Sequence, residues 1–175
     1  MFLSIISLVL VFNLPIQNSF AVEQINSGLP VRLEIPKIAV NTAIEHIGLS
    51  PDGKVGIPKD IFHVAWFNNS PRPGDRGNSI ITGHSGWYNK APTVFDNLYK
   101  LQKGDKIYVT NDMDVVIIFT VSKLETYTGN KNFTDIFVSN DEEEHLNLIT
   151  CWGIWNEKQQ NYSDRLVVFA DREIE

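Results

Sequence analysis

The chain has 175 residues, the size of one domain with a substantial core, and its 43% hydrophobic and 21% charged residues are typical of a globular protein in water. A net charge of −6 offers no basic surface to a phosphate backbone, which excludes nucleic acid as a partner. The acidic run Asp141-Glu142-Glu143-Glu144 is too short for an interaction tail and reads as a solvated loop or a helix start.

Residues 2–12 form an apolar stretch too short to cross a bilayer, and Ser19-Phe20-Ala21 supplies the small residues that a signal peptidase reads before Val22. No Lys or Arg precedes that stretch, and the first positive residue is Arg32, so residues 1–21 read either as a signal peptide or as a truncated membrane anchor. Both readings put the protein outside the cytoplasm, at the cell surface, secreted or attached to the membrane through its N-terminus. Residues 22–30 read as a linker and 31–175 as one domain. Cys151 is the single cysteine, so in an exported chain it is either buried and inert or free and reactive.

Along the domain the apolar period is mostly two. Runs at 31–35, 43–47, 62–67, 78–84, 106–110, 115–124, 146–151 and 166–170 are rich in Val, Ile, Phe and Thr and predict about eight strands. Turn chemistry separates them at Ser50-Pro51-Asp52-Gly53, at 70–75, at Lys103-Gly104-Asp105 and at 111–114. Helical signals are few. Residues 91–101 place Val94, Phe95, Leu98 and Leu101 on one helical face, and Ser139-Asn140-Asp141 reads as a cap leading into 142–145. The expectation is an all-β fold, a single closed or nearly closed barrel of about eight strands with one or two short helices.

Three of the strand ends carry chemistry. Leu148-Ile149-Thr150-Cys151 ends on a thiol, Arg165-Leu166-Val167-Val168 opens on a guanidinium, and Ile81-Thr82-Gly83-His84 ends on an imidazole. A nucleophile, an oxyanion partner and a proton donor are the parts that acyl transfer needs. Taken singly, each has an ordinary structural role: Cys151 as core filler, His84 as a turn residue, Arg165 as the partner of Asp164 in an exposed ion pair.

Taken together, these motifs resemble the sortases, the cysteine transpeptidases of bacterial surfaces. The resemblance also rests on Arg32-Leu33-Glu34-Ile35-Pro36-Lys37-Ile38, on Trp66 before a Pro-Gly loop, and on Phe95, Leu98, Leu101, Gly104, Asp105 and Ile107 in order. It covers roughly residues 32–170. Trp66, the segment 70–77 and the compact length are most similar to the smaller sortases of classes D to F. The resemblance implies a catalytic set of His84, Cys151 and Arg165. The thiol would attack a carbonyl within an LPXTG-type sorting signal of a surface protein, and an amine acceptor, a peptidoglycan precursor or a pilin lysine, would resolve the thioester.

The chemistry is consistent with these residue types. A free thiol titrates near 8.5, so a nearby cation is needed to hold it as thiolate at neutral pH. A guanidinium that keeps its proton suits a developing oxyanion, and an imidazole can give a proton to the leaving amine and take one from the incoming amine.

Thr150 and Trp152, flanking the thiol, are the candidate substrate-binding residues, Thr150 through its hydroxyl or amide and Trp152 as an aromatic groove wall in the loop between the Cys and Arg strands. Their ordinary roles are packing. The connection 125–144, with Tyr127, Phe133, Ile136 and Phe137, is a second candidate wall, and its alternative is an anchor onto the barrel. His46, His63 and His145 match no functional motif and read as structural or surface residues. No cofactor and no metal is expected, because 141–144 lacks calcium-ligand spacing. Two other classes stay open: an exported cysteine peptidase that hydrolyses, and a non-catalytic β-domain that binds peptide or wall components with Cys151 buried.

Overall fold

In a computed structural model of the chain, residues 28–88, 91–129 and 132–174 are described. The leader expected over 1–21 lies outside them, as do residues 22–27 of the linker. The described residues form ten strands: β1 (Pro30–Ile35), β2 (Val40–Ile47), β3 (Val64–Phe67), β4 (Gly77–Gly83), β5 (Trp87–Tyr88), β6 (Ala91–Pro92), β7 (Lys106–Asn111), β8 (Val116–Thr128), β9 (Glu144–Asn156) and β10 (Asn161–Arg172). Eight of them close a barrel in the order β1-β2-β3-β4-β9-β10-β8-β7, and β5 and β6 form a separate two-stranded ribbon. The eight predicted runs correspond to the eight barrel strands.

Alternation decides which side chains enter the barrel. Leu33, Ile35, Val64, Trp66, Ile81, Leu146, Leu148, Leu166 and Val168 all belong to the interior cluster. The opposite parity of the same strands builds a second cluster on the outer face, where Phe67, Ile80 and Val167 meet Tyr127 and Ile136. This explains why β4 is buried almost throughout rather than alternating: it lies between the two clusters. Each large apolar side chain removed from water contributes roughly 1.5–3 kcal/mol, so two-sided burial makes β4 a firm base for whatever follows it.

The outer cluster is roofed by a one-turn helix, α1 (Thr134–Phe137). Its carbonyls are held from below: Asn78 Nδ2 donates to Asp135 and Ile136 at 3.0 and 3.1 Å, and Asn147 Nδ2 donates to Ile136 at 2.7 Å. Tyr127 stacks on Phe133 at a centroid distance of 5.4 Å. Tyr127, stacked on Phe133, and Ile136 therefore anchor that connection onto the barrel, while Phe137 is exposed.

Three local expectations differ from the structure, one of them at 142–145, where no capped turn of helix forms because Glu144 and His145 already belong to β9. Residues 91–101 are not one helix but the β6 strand, a turn and a 3-10 turn over Leu98–Lys100. Their apolar side chains Phe95, Leu98 and Leu101 are buried as the pattern requires, while Asp96 Oδ1 accepts from the Thr93 hydroxyl and from the Gly86 amide in a turn. Short polar side chains that bond nearby backbone compete with helix, and here they win. Third, the segment between Cys151 and Arg165 is a hairpin rather than a loop, because β9 and β10 run on past the barrel to the turn between Asn156 and Asn161.

Candidate active site

The barrel brings the three candidate groups into one row. Cys151 on β9 is the direct antiparallel partner of Arg165 on β10. On the other side β9 pairs in parallel with β4, the last partners being Thr82 and Ile149. His84 follows the last residue of β4, two positions beyond Thr82, as Cys151 is two positions beyond Ile149.

Parity fixes their face. Ile81 and Leu148 are interior residues, as are Leu166 and Val168, so His84, Cys151 and Arg165 share the outer parity of Ile80, Ile149 and Val167. Side chains directly opposite on adjacent antiparallel strands stand about 4.5–5.5 Å apart at Cβ, so Cys151 and Arg165 start out as neighbours, from which the guanidinium turns along the hairpin toward Asn161 and Tyr162. All three residues are partly exposed, and Cys151 is a free thiol.

His84 is braced from several directions. Its own carbonyl accepts from the Phe95 amide at 2.9 Å. Beneath it, Gly83 leaves no room for a side chain, since a Cβ there would lie 2.4 Å from the Phe95 ring. The ring nitrogen Nε2 is 3.0 Å from the Pro58 carbonyl. A carbonyl only accepts, so Nε2 carries a proton and donates it, which leaves Nδ1 as the nitrogen free to exchange one.

Arg165 is held by the hairpin. Nη1 donates to the carbonyls of Tyr162 and Asp164 at 3.2 and 2.7 Å, and Nη2 donates to Asn161 Oδ1 at 2.9 Å. Of the five guanidinium N–H groups, Nε–H and one on Nη2 have no protein partner among the described residues. The ion pair with Asp164 is not formed; Asp164 is engaged through its backbone carbonyl.

Thr150 points the other way. It is 2% exposed, and its hydroxyl donates to the Gly83 carbonyl at 2.8 Å, tying the end of β4 to β9. Trp152 packs partly against the interior cluster and lies 5.6 Å from the Tyr99 ring. Trp155, 44% exposed, meets Tyr162 edge-on at 5.1 Å.

An open cleft of about 630 Å³ reaches Cys151 from the side where β4 has ended. Ser85, Gly86, Asp96, Tyr99, Trp152 and Tyr162 are among its walls; His84 and Arg165 are not. The Ser85 hydroxyl donates to the Cys151 carbonyl, and the Gly86 amide donates to Asp96 Oδ1 at 2.5 Å. Sequence reasoning singled out neither Ser85 nor Asp96. Ser85 directly follows His84, a signal that was available; Asp96 was hidden inside a segment that reads as a helix.

The remaining histidines are structural. His46 Nε2 donates to Pro30 at 2.8 Å, His63 pairs with Glu45 at 3.3 Å, and His145 lies between Asp141 and Asp171 at 2.9 and 2.8 Å. Among the described residues no group of three or more His, Cys, Asp or Glu is placed to hold a metal, and no helix is long and apolar enough to cross a membrane.

The model of the sortase domain matches residues 33–173. The chain belongs to the sortase family. As a sortase it is a cysteine transpeptidase built on the family's barrel. Among solved structures, this sortase is similar to the pilus-related sortase C of Group B Streptococcus, with 27% identity over 86% of this chain and 69% of that one and a TM-score of 0.62. It is also similar to a lid mutant of sortase A from Corynebacterium diphtheriae, at 25% identity, 84% and 71% coverage and a TM-score of 0.64. A Clostridium perfringens sortase D5 transpeptidase matches at 26% identity, with 84% and 79% coverage and a TM-score of 0.60. No curated protein matches the chain.

Proposed function

We propose that this sortase cleaves an LPXTG-type sorting signal of a surface protein with Cys151 as nucleophile, His84 as proton donor and acceptor, and Arg165 as the oxyanion donor. The observation that carries this reading is the convergence of three residues of the outer parity: Arg165 directly opposite Cys151, and His84 just past the end of β4, the strand on the other side of β9.

The thiolate adds to the scissile carbonyl, and the charge that develops on the oxygen meets Nε–H and the spare Nη2–H of Arg165, which three hydrogen bonds already hold in place. The C–N bond breaks as Nδ1 of the His84 imidazolium protonates the departing amine, leaving a thioester on Cys151 and a neutral imidazole. An amine acceptor, a peptidoglycan precursor or a pilin lysine, then takes the acyl group. Trp152, beside the thiol, contributes an aromatic wall, and Thr150 holds β4 and β9 in register. This chemistry belongs at the cell surface, where residues 1–21 deliver the chain as a signal peptide or membrane anchor and residues 31–175 act as the catalytic domain.

Intact-protein mass spectrometry with an LPXTG peptide tests the reading. The expected result is an acyl adduct on Cys151 that Cys151→Ala abolishes. Undiminished transpeptidation by Cys151→Ala overturns it.

A further inference from the structure

We propose that the cleft on the β4 side of β9 is the port for the acceptor amine, which binds there as an ammonium held by Asp96. This rests on the function proposed above and names the site of its second substrate.

The topology supplies the opening. β4 ends at Gly83, so β9 beyond Thr150 is paired with β10 alone, and its other edge borders the cleft. Cys151 is the residue at which that edge begins. The acyl half of the sorting signal lies on the outer face beside His84 and Arg165, neither of which lines the cleft. A second substrate thus has its own approach to the same sulfur, along the free edge of β9.

The lining supplies the chemistry. Asp96 is the one charged residue lining the cleft among the described residues. Its Oδ1 accepts from the Gly86 amide at 2.5 Å and from the Thr93 hydroxyl at 3.3 Å. Oδ2 has no protein donor among the described residues, so the carboxylate is fixed by one oxygen and presents the other. Trp152, ring to ring with Tyr99 at 5.6 Å, adds the aromatic surface that a cation prefers, while Lys100 Nζ already lies over the Tyr99 ring at 5.6 Å from its centroid. A neutral or anionic acceptor gains nothing from this arrangement; an ammonium gains from both.

The carboxylate is also linked to the nucleophile. Asp96 holds the Gly86 amide, and the preceding residue, Ser85, donates its hydroxyl to the Cys151 carbonyl. Gly86 adopts φ +106°, and a Cβ there would lie 2.5 Å from Tyr162 Oη, so only glycine lets Tyr162 close over this end of the cleft.

In the transfer step the C–N bond forms and the C–S bond breaks. The ammonium loses two protons, one to the neutral His84 imidazole and one to solvent, and the sulfur departs as thiolate, which restores the thiolate–imidazolium pair.

The test compares two nucleophiles on acylated full chain: triglycine amide, which is cationic at neutral pH, and hydroxylamine, which is uncharged. Asp96→Asn keeps an oxygen for the Gly86 amide but removes the charge, and Asn97→Lys places a cation on the same wall. Each variant should lower kcat/KM for triglycine amide by about tenfold or more, through KM, and leave capture by hydroxylamine unchanged. Raised ionic strength should narrow the wild-type preference for the cationic nucleophile. The Cys151 acyl adduct, which forms without any amine, is the internal control. If it never forms in the wild type, the proposed function fails; if it forms and the variants use triglycine amide as well as the wild type does, or lose both nucleophiles equally, the port is overturned.

Discussion

Arg165 lies directly across the β9–β10 ladder from Cys151, yet its two terminal nitrogens are bound by the hairpin, to Tyr162, Asp164 and Asn161. The guanidinium is a group fixed by the hairpin rather than a free surface cation. That relationship separates a planar donor from a mere positive charge.

Arg165→Lys keeps the charge and loses the fork. A single ammonium cannot hold three hairpin acceptors and also face an oxyanion at Nε. Acylation by an LPXTG peptide should fall by about 10²–10³, the cost of one oxyanion donor, with little change in the melting temperature. Stopped acylation measured by adduct mass checks it; a fall of less than about threefold would reduce Arg165 to electrostatics.

Gly83→Ala should destabilise the barrel next to His84. The added methyl meets the Phe95 ring, which is 1% exposed and has nowhere to go. Overpacking of this kind costs about 1–3 kcal/mol, or on the order of 5 °C in melting temperature for a domain of this size. Thermal unfolding followed by circular dichroism measures it.

Thr150→Val should act on stability rather than on the substrate. The hydroxyl is buried and given to Gly83, so its removal costs about 1 kcal/mol in unfolding free energy. The KM for the sorting peptide should stay within about twofold. Denaturant titration and peptide kinetics on the same variant separate the two roles.

His145 should give the fold a pH-dependent element remote from the site. Burial pulls its imidazole down, but hydrogen bonds to Asp141 and Asp171 outweigh that and hold it above its ordinary value. Asp141 is held down at about 2, chiefly by the Ser139 hydroxyl and then by His145 and the Glu143 amide. A raised imidazole stabilises fully below its unfolded value near 6.5 and ceases to as pH climbs through the folded-state value. A lowered carboxyl stabilises above its unfolded value near 3.9 and ceases to as pH drops toward the folded-state value. The melting-temperature gap between wild type and His145→Gln should therefore be widest from about pH 4 to 6.5 and shrink on both sides.

Much of this was legible in the chain. Period-two runs bounded by Gly, Asp and Pro marked all eight barrel strands, because alternation follows directly from a pleated strand with one face in a core. Ser50-Pro51-Asp52-Gly53 folds as the turn its residues prescribe, with the Gly53 amide on the Ser50 carbonyl at 2.9 Å and Gly53 at φ +78°. Cys151, His84 and Arg165 stood out because each closes or opens such a run.

Where those three residues stand relative to one another is a different kind of fact. His84 and Cys151 are 67 positions apart, and a shift of one residue in either ladder would turn one of them to the other face. Register across such separations is settled by how two cores pack on opposite sides of β4 and β9, which no local pattern encodes. The same holds for Asp96, whose segment carries a helical spacing of apolar residues but folds as a turn because Thr93 and the Gly86 amide claim its carboxylate. Residue type and periodicity set the parts and the strands; long-range pairing decided which of those parts share one face of the barrel.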